Sequence, residues 1–593
     1  MRTGLLKNYR ETGRLMDMKN YKLGVLLILD GFGINVNREY NCVALAQTPT
    51  YDYLSNNATR NKLSWYKKNI GKTYYTQLEA VGPEIGMPKG AKGSTAVGHE
   101  VISGADYLHP MLRIEKQIKK GVLRNNVIDN ALNNVLKYNS ALHLMGLVSP
   151  NREHSDIKHL YAILRRCSEL GVKKIWIHFF SDGRGTPPFS AVSFAEDLME
   201  AADKILGKNF EGFKIATVGG RDITMNRAKD CLYKTEKTFR AIAEADAPRE
   251  KDIFTVLKNS YSRAITDEYT ELRVLGNYQG FGNNDSVIYW NFRKDRAEYL
   301  MRMLTSSEEE ITQLLKSSPD YTYHNLKEFK KIKKNGSLDY ISLCFAAFME
   351  YYKGIACPVA FPEPQQLISL GSVLEDFGFK QYRISGVDKE KAVMLLSGSK
   401  HSEPFSNEIR YVVHLPEDMK KYREDFGKNA GEYKIRLNPY ARFPLLELPE
   451  LKQRILSLID SAEDKTFIVA NICNPDMVGH TADLGAGIIA VEEVDRALLE
   501  IGLKVIEKGG FAAIVADHGN IEKMMTDEWE PSTFHTDAEV PFILLGVHDL
   551  EFKDIRGSLK DVAPTILYLL KPDKKEYIKD NFKGKILAEL KKG

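Results

Sequence analysis

Three short apolar runs, each followed by acidic side chains, constrain this chain more than any other feature. Val25-Leu26-Leu27-Ile28-Leu29 runs into Asp30, and Phe511-Ala512-Ala513-Ile514-Val515-Ala516 runs into Asp517 and His518. Between them in the chain, Thr466-Phe467-Ile468-Val469-Ala470 is followed by Asp476 and His480. Short β-branched runs bounded by polar and Gly signals are expected to be buried strands. In open parallel sheets, ligand-binding groups gather beyond the carboxyl ends of the strands. Three Asp and two His at such ends are therefore expected to converge, although they lie far apart in the sequence. Mixed carboxylate and imidazole donors suit zinc or manganese, whereas calcium prefers oxygen alone. The pattern predicts a two-metal enzyme.

The periodicity between the runs fixes the fold class. Val491, Val494, Leu498, Ile501 and Val505 recur at helical spacing, and Gly509-Gly510 stops that helix before the strand leading to Asp517. Strand, helix, strand in this order implies an α/β fold, a mostly parallel sheet with helices on both faces. Ala141–Leu147 and Lys174–Phe180 are expected as further strands, each leading into a polar loop. At 593 residues the chain exceeds one hydrophobic core, so two domains are expected. Asp30 stands near the start and the other candidate ligands follow Asn471, so the intervening chain reads as an inserted domain. Tyr107–Pro110 and Phe361–Pro364 serve as linkers, because proline restricts both itself and its predecessor. The expected division is 21–109 with 364–593 for the metal domain, 110–363 for the insertion, and 1–20 for an N-terminal extension.

Composition narrows the function classes. A net charge of +4 is too small to argue for nucleic acid or a membrane surface. No apolar stretch reaches the length that spans a bilayer, and the first twenty residues lack the apolar core of a secretory signal. Cys42, Cys167, Cys231, Cys344, Cys357 and Cys473 show no paired spacing, which fits a reducing compartment. A cytoplasmic monomer is expected, without nucleic-acid or membrane partners. The polar stretch Thr305–Gly336, which carries Lys327, Lys330, Lys331, Lys333 and Lys334, is expected to be a solvated insertion.

Two further groups carry chemistry. Gly93-Ser94-Thr95-Ala96-Val97-Gly98-His99 is expected as a tight turn offering two hydroxyls. A hydroxyl beside a divalent cation can lose its proton and attack phosphorus. Arginines recur in the middle region as Arg184, Arg221, Arg227, Arg293 and Arg296. One arginine alone is usually a surface ion pair, but several bidentate forks suit a small phosphorylated acid.

These elements, in this order, closely resemble the cofactor-independent (2,3-bisphosphoglycerate-independent) phosphoglycerate mutases of the alkaline phosphatase superfamily. The resemblance runs from about Tyr21 to the C-terminus. It rests on Leu29-Asp30-Gly31-Phe32-Gly33, Asn474-Pro475-Asp476-Met477-Val478-Gly479-His480-Thr481, Ala516-Asp517-His518-Gly519-Asn520 and Phe534-His535-Thr536, and in the middle region on Asp182-Gly183-Arg184, Thr217-Val218-Gly219-Gly220-Arg221 and Asn291-Phe292-Arg293 with Asp295-Arg296. It implies an alkaline-phosphatase-like metal domain interrupted by an inserted α/β phosphotransferase domain. It further implies one metal held by Asp476, His480 and His535, and a second held by Asp30, Asp517, His518 and the nucleophile's oxygen. His535 enters by the resemblance alone. Substrate contacts are implied at His154, Arg184, Arg221, Arg227, Arg293, Arg296 and Lys389, with His154 and Lys389 also catalytic. Two divalent metal ions follow, manganese first with zinc, cobalt or magnesium as alternatives, and no bisphosphoglycerate.

The chain departs from the family pattern at three places. The family's nucleophilic serine lies in Asn-Ser-Glu-Val-Gly-His, and anchoring on Gly98-His99 places the nucleophile at Thr95. The family reads Asp-Gly-Arg-Asp where this chain has Asp182-Gly183-Arg184-Gly185, so the carboxylate implied to handle a proton on the glycerate hydroxyl is absent. Asp182 or Asp222 is expected to substitute. Around Lys389 the chain reads Ile384-Ser385-Gly386-Val387-Asp388-Lys389 in place of Ile-Ala-Glu-Thr-Glu-Lys. The expected reaction is interconversion of 3-phosphoglycerate and 2-phosphoglycerate through a phosphothreonine. The alternative, raised by Gly185, is a phosphatase or a mutase for another small phosphorylated metabolite.

Overall fold

The computed structural model describes residues 21–593 except 56–62, 209, 228–230, 307–309, 311–312, 315–332, 335–336, 339–341, 364–367, 398–402, 429–437, 549, 553–555 and 592–593. The extension 1–20 and much of the lysine-rich stretch, Lys327, Lys330 and Lys331 included, lie outside the described residues. Two compact units emerge: one runs to Leu108 and resumes at Gln365, the other is His109–Pro364.

The first unit is built on an eight-stranded sheet. Its order is Glu408–Val413, Lys380–Gly386, Thr466–Ile472, Leu23–Leu29, Phe511–Val515, Val540–Leu545, Tyr74–Glu79, Gly557–Ser558. Only Val540–Leu545 runs against its neighbours. The three central strands are buried at every position, as strands covered on both faces must be. Register then decides the site. Leu29 lies opposite Ile472, and Ile28 opposite Val515, so all three strands end at the same level. Asp30, the Cys473–His480 segment and Asp517 therefore leave the sheet side by side.

The helix Leu484–Glu507 covers part of this sheet. Asp483 caps it by accepting from the Ala486 N–H, and its buried stripe includes Val491, Val494, Leu498, Ile501 and Val505. Gly509, with φ of +68°, turns the chain out of the helix toward the next strand. Asp476 lies within a short helix, Asn474–Gly479, that follows directly on its strand, with His480 as the helix's C-cap.

One local expectation is corrected. The stretch Gly93–His99 is not a tight turn, because a helix begins within it at Thr95 and runs to Ile102. Ser94 is extended, with φ −150° and ψ 120°, and its hydroxyl accepts from the Val97 N–H at 3.5 Å. Ser94 is thus the helix cap, and Thr95 is the first helical residue. Val101 and Ile102 bury the far end of the helix.

The second unit has a seven-stranded sheet. Cys344–Ala347, Ser286–Tyr289, Leu142–Leu147, Ile175–Ser181 and Phe213–Gly220 run parallel, followed by Arg273–Leu275 and Arg249–Glu250 at the other edge. Each middle-region histidine and arginine implied to contact substrate follows the carboxyl end of a parallel strand. His154 follows Leu142–Leu147, Arg184 follows Ile175–Ser181, Arg221 and Arg227 follow Phe213–Gly220, and Arg293 and Arg296 follow Ser286–Tyr289.

Candidate active site

In the first unit the strand ends and two loops bring acidic, imidazole and hydroxyl groups together. Asp476 Oδ1 lies 3.3 Å from His480 Nε2 and 3.1 Å from His535 Nε2, and these two nitrogens are 3.1 Å apart. The His480 Nδ1–H donates to the Thr533 carbonyl at 2.7 Å, and the His535 Nδ1–H to the Gly93 carbonyl at 3.0 Å. Carbonyls only accept, so these bonds put a proton on each Nδ1 and turn both Nε2 atoms toward Asp476, where each can bind a cation or, when protonated, donate to the carboxylate. That is how imidazoles are oriented for a metal.

In the adjoining group Asp30, Asp517 and His518 are wholly buried. His518 Nε2 lies 3.5 Å from Asp30 Oδ1 and 3.4 Å from Asp517 Oδ2. Its Nδ1 faces the Gly519 carbonyl at 3.2 Å, so Nε2 is again the acceptor. The Thr95 hydroxyl donates to it at 2.8 Å. Lys389 Nζ reaches Asp30 at 2.8 Å, Asp476 at 2.7 Å and Thr95 Oγ1 at 3.3 Å.

Charge balance supplies the fit test for metal ions. Burial pushes Asp30 above the ordinary carboxylate pKa, Asp517 adds to this, and Lys389 offsets only part of it. Burial acts the same way on Asp476, but hydrogen bonds from His480 and His535 hold it well below the ordinary value. Burial also opposes charge on Lys389, yet Asp30, Asp476 and Asp517 outweigh it and raise the lysine pKa. One lysine cannot compensate three buried carboxylates. Asp517 Oδ2 moreover makes no well-angled hydrogen bond. In this unit three groups of donor atoms lie close enough to share an ion: Asp476 with His480 and His535, Asp30 with Asp476 and His518, and Asp30 with His99 and Asp517. The residues fit divalent cations.

The helix bearing Thr95 packs tightly on this group. A Cβ on Gly98 would stand 2.5 Å from the Asp517 carbonyl oxygen and 2.8 Å from its Cβ. Gly98→Ala is therefore expected to cost about 1–3 kcal/mol through overpacking and to displace Asp517. Urea unfolding and metal titration of the variant check both effects.

In the second unit a cationic cluster surrounds His154. Arg221 and His154 are buried, and an Arg221 Nη2–H donates to His154 Nε2 at 2.8 Å. Arg227 and Arg293 pair with Asp295 at 3.1 and 3.0 Å, and Arg184 approaches Glu268 at 3.4 Å. Burial is the first cause lowering the Arg296 pKa, and Arg221, Arg227 and Arg184 lower it further. Like charges crowded this way call for an anion. The same field acts on His154, where burial and then Arg221, Arg293, Arg296 and Arg227 push the pKa down to about 2. With Nε2 accepting, His154 keeps its proton on Nδ1, which has no hydrogen-bond partner. Its ring is expected to stay neutral by NMR from about pH 5 to 8. The unfolded chain binds that proton first, so His154 makes stability fall as pH drops below about 6.5.

Residues 114–332 match the family described as BPG-independent PGAM N-terminus, and residues 444–574 match the Metalloenzyme superfamily. The 2,3-bisphosphoglycerate-independent phosphoglycerate mutase of Moorella thermoacetica is 32% identical over 92% of this chain and 95% of its own length. The chain belongs to that family. The enzyme of the same name from Staphylococcus saprophyticus is 32% identical over 93% of this chain and 97% of its own. Among solved structures, Leishmania mexicana phosphoglycerate mutase, crystallised at low cobalt concentration, superposes with a TM-score of 0.61 at 21% identity, covering 97% and 99% of the two chains. That likeness shows the shared fold.

Against the family pattern, the structure explains two departures. The family's glutamate position is Gly386, where a Cβ would meet Glu447 Oε1 at 1.6 Å. Glu447 is buried, accepts from the Cys473 thiol at 3.2 Å and occupies that space from a remote helix cap. At Gly185 a Cβ would meet Asn151 Nδ2 at 1.7 Å. Asn151 fills this space, and its amide donates to Asp182 Oδ2 at 2.8 Å.

The structure gathers Asp30, Thr95, Asp476, His480, Asp517, His518, His535 and Lys389 in the first unit. His154, Arg221, Arg227, Arg293, Arg296 and Arg184 lie at one sheet end of the second. The expectation that Asp182 or Asp222 substitutes for the missing carboxylate is not favoured. Asp182 is fully buried and already accepts from Ser149, Asn151 and Arg221, while Asp222 is held by Lys234. Sequence reasoning gave no role to His99, whose Nδ1 lies 3.1 Å from Asp517 Oδ2, or to Asn471, which donates to Asp30 at 2.7 Å. It also missed Asn520, which donates to Asp476 at 2.8 Å. All three stand within or beside the motifs that carry the ligands, which was the available signal.

Proposed function

We propose that the protein interconverts 3-phosphoglycerate and 2-phosphoglycerate through a phosphothreonine at Thr95. The observation that carries this reading is the setting of the Thr95 hydroxyl. It lies 2.8 Å from His518 and 3.3 Å from Lys389, on the first residue of a helix, in a chain of the mutase family. Helix N-termini favour negative charge, here that of the transferring phosphoryl group.

Asp476, His480 and His535 would hold one divalent ion, and Asp30, Asp517, His518 and Thr95 a second. We place manganese first for these mixed donors, with zinc, cobalt or magnesium as alternatives. Such ions lower the pKa of a bound hydroxyl and offset charge on phosphoryl oxygens. Lys389 places a fixed cation beside the attacking oxygen. Arg184, Arg221, Arg227, Arg293 and Arg296 bind the phosphate and carboxylate of the acid, and neutral His154 contributes a hydrogen bond rather than a charge. Glycerate must stay bound between the two transfers, since water reaching the phosphothreonine gives hydrolysis instead. We further propose a cytoplasmic monomer, since the six dispersed thiols fit a reducing compartment, and a net charge of +4 makes no electrostatic case for nucleic-acid or membrane partners.

The test is an assay with manganese and 3-phosphoglycerate, without bisphosphoglycerate, that follows 2-phosphoglycerate and inorganic phosphate together. Isomerised product in large excess over phosphate is expected. Predominant phosphate release would favour a phosphatase.

A further inference from the structure

The mutase reading leaves one chemical task unassigned, because the residue after Arg184 is a glycine. Its space is taken by Asn151, and Asn151 does more than fill it. Its amide nitrogen is tied to Asp182, and its amide oxygen accepts from the Glu153 N–H at 2.6 Å. Between them Arg152 adopts φ of +62°, a left-handed conformation rare outside glycine and costly unless the surroundings hold it. Arg152 is anchored on Glu115 and Asp156. The loop thereby delivers Glu153 into the arginine cluster. Glu153 Oε1 lies 2.8 Å from Arg293 Nη1 and 3.6 Å from His154 Nε2, and Oε2 lies 3.8 Å from Arg221 Nη1.

We propose that Glu153 is the carboxylate that exchanges a proton with the glycerate hydroxyls, and that Asn151 is its positioning residue. The inference rests on the mutase reading above. Asp295, which also lies in the cluster, is less suited. It holds one oxygen against Arg227 and the other against Arg293, and it belongs to a motif the family already shares. Glu153 keeps a side chain 40% exposed, and its Oε2 lies 3.8 Å from Arg221 Nη1, beyond hydrogen-bonding distance.

The proton balance closes over the two transfers. On substrate binding Thr95 gives up its hydroxyl proton to solvent and the Glu153 carboxylate takes one up. As the phosphoryl group then leaves 3-phosphoglycerate for Thr95 Oγ1, the P–O bond to glycerate breaks and Glu153 gives its proton to that oxygen. On return, the other hydroxyl loses its proton to Glu153 as its oxygen bonds phosphorus. The P–O bond to Thr95 then breaks, and its electron pair stays on Thr95. Glu153 then returns a proton to solvent and Thr95 regains one, so both end as they began, carboxylate and hydroxyl.

Steady-state kinetics on 3-phosphoglycerate with manganese test this. Glu153→Gln is expected to lower kcat about 10²–10⁴-fold with KM changed by no more than about threefold, and Glu153→Asp to retain more activity than Glu153→Gln. Gly185→Asp alone drives its side chain into Asn151 and is expected to impair turnover. Adding Asn151→Gly and Gly185→Asp to Glu153→Gln is expected to recover at least about tenfold in kcat, a non-additivity diagnostic of neighbouring groups. Asn151→Gly alone should lower kcat more than it raises KM. Unchanged kcat in Glu153→Gln, or a rise confined to KM, would show that Glu153 merely orients Arg293, and would overturn the proposal. If the unmodified enzyme forms no 2-phosphoglycerate, the mutase reading falls with it. If it does, and Glu153→Gln matches it, this inference alone fails.

Discussion

Thr95→Ala is expected to abolish isomerisation, with a loss on the order of 10⁴–10⁶-fold, as when a nucleophile acting with its partners is removed. Among the described residues, only the Thr95 hydroxyl lies within hydrogen-bonding distance of both Lys389 and His518. Thr95→Ser should keep turnover, since it retains the hydroxyl and loses only the methyl that restricts χ1. Ser94→Ala separates the two hydroxyls. Ser94 caps the helix through a long 3.5 Å bond, so its loss should cost about 0.5 kcal/mol, the low end for a cap, and leave turnover intact. Kinetics and unfolding midpoints of the three variants together decide the register.

Removing the metals should have an effect of similar size. A chelator is expected to lower turnover on the order of 10³-fold or more, because bound cations supply several kcal/mol of charge stabilisation. It should also lower the thermal unfolding temperature. Without cations, Asp30, Asp476 and Asp517 share Lys389 in a buried space, and an ion present at a hundred times its Kd would contribute about 2.7 kcal/mol of stability. Metal analysis after dialysis against manganese should give two ions per chain. Full activity in metal-free protein would remove the basis of the charge argument.

The parts of this architecture written in local pattern were legible in the sequence. The runs ending at Leu29, Ala470 and Ala516 read as strands because burial on both faces demands unbroken apolar residues. The helix before Gly509 was legible from its 3.6-residue stripe. Register was not: only pairing of Leu29 with Ile472 and of Ile28 with Val515 brings the three strand ends level. The helix at Thr95 was missed because its first turn, Thr95-Ala96-Val97-Gly98, is too short and too rich in small residues to show a period, and only the Ser94 cap marks its start. Gly185 and Gly386 were visible as losses of carboxylate. Their replacements were not, because Asn151 and Glu447 enter those spaces from remote loops and helix ends. The sequence shows which side chain is missing at such a position, and only the packed structure shows which one stands there instead.

The most direct test of the account is to find where the phosphoryl group goes. Enzyme loaded with manganese and mixed with 3-phosphoglycerate is quenched in acid within one turnover, digested, and its phosphopeptides mapped by mass spectrometry. Phosphate on Thr95, formed and lost at the rate of isomerisation, is the predicted result. Phosphate on Ser94, or isomerisation with no phosphorylated residue in the Gly93–His99 stretch, would contradict it.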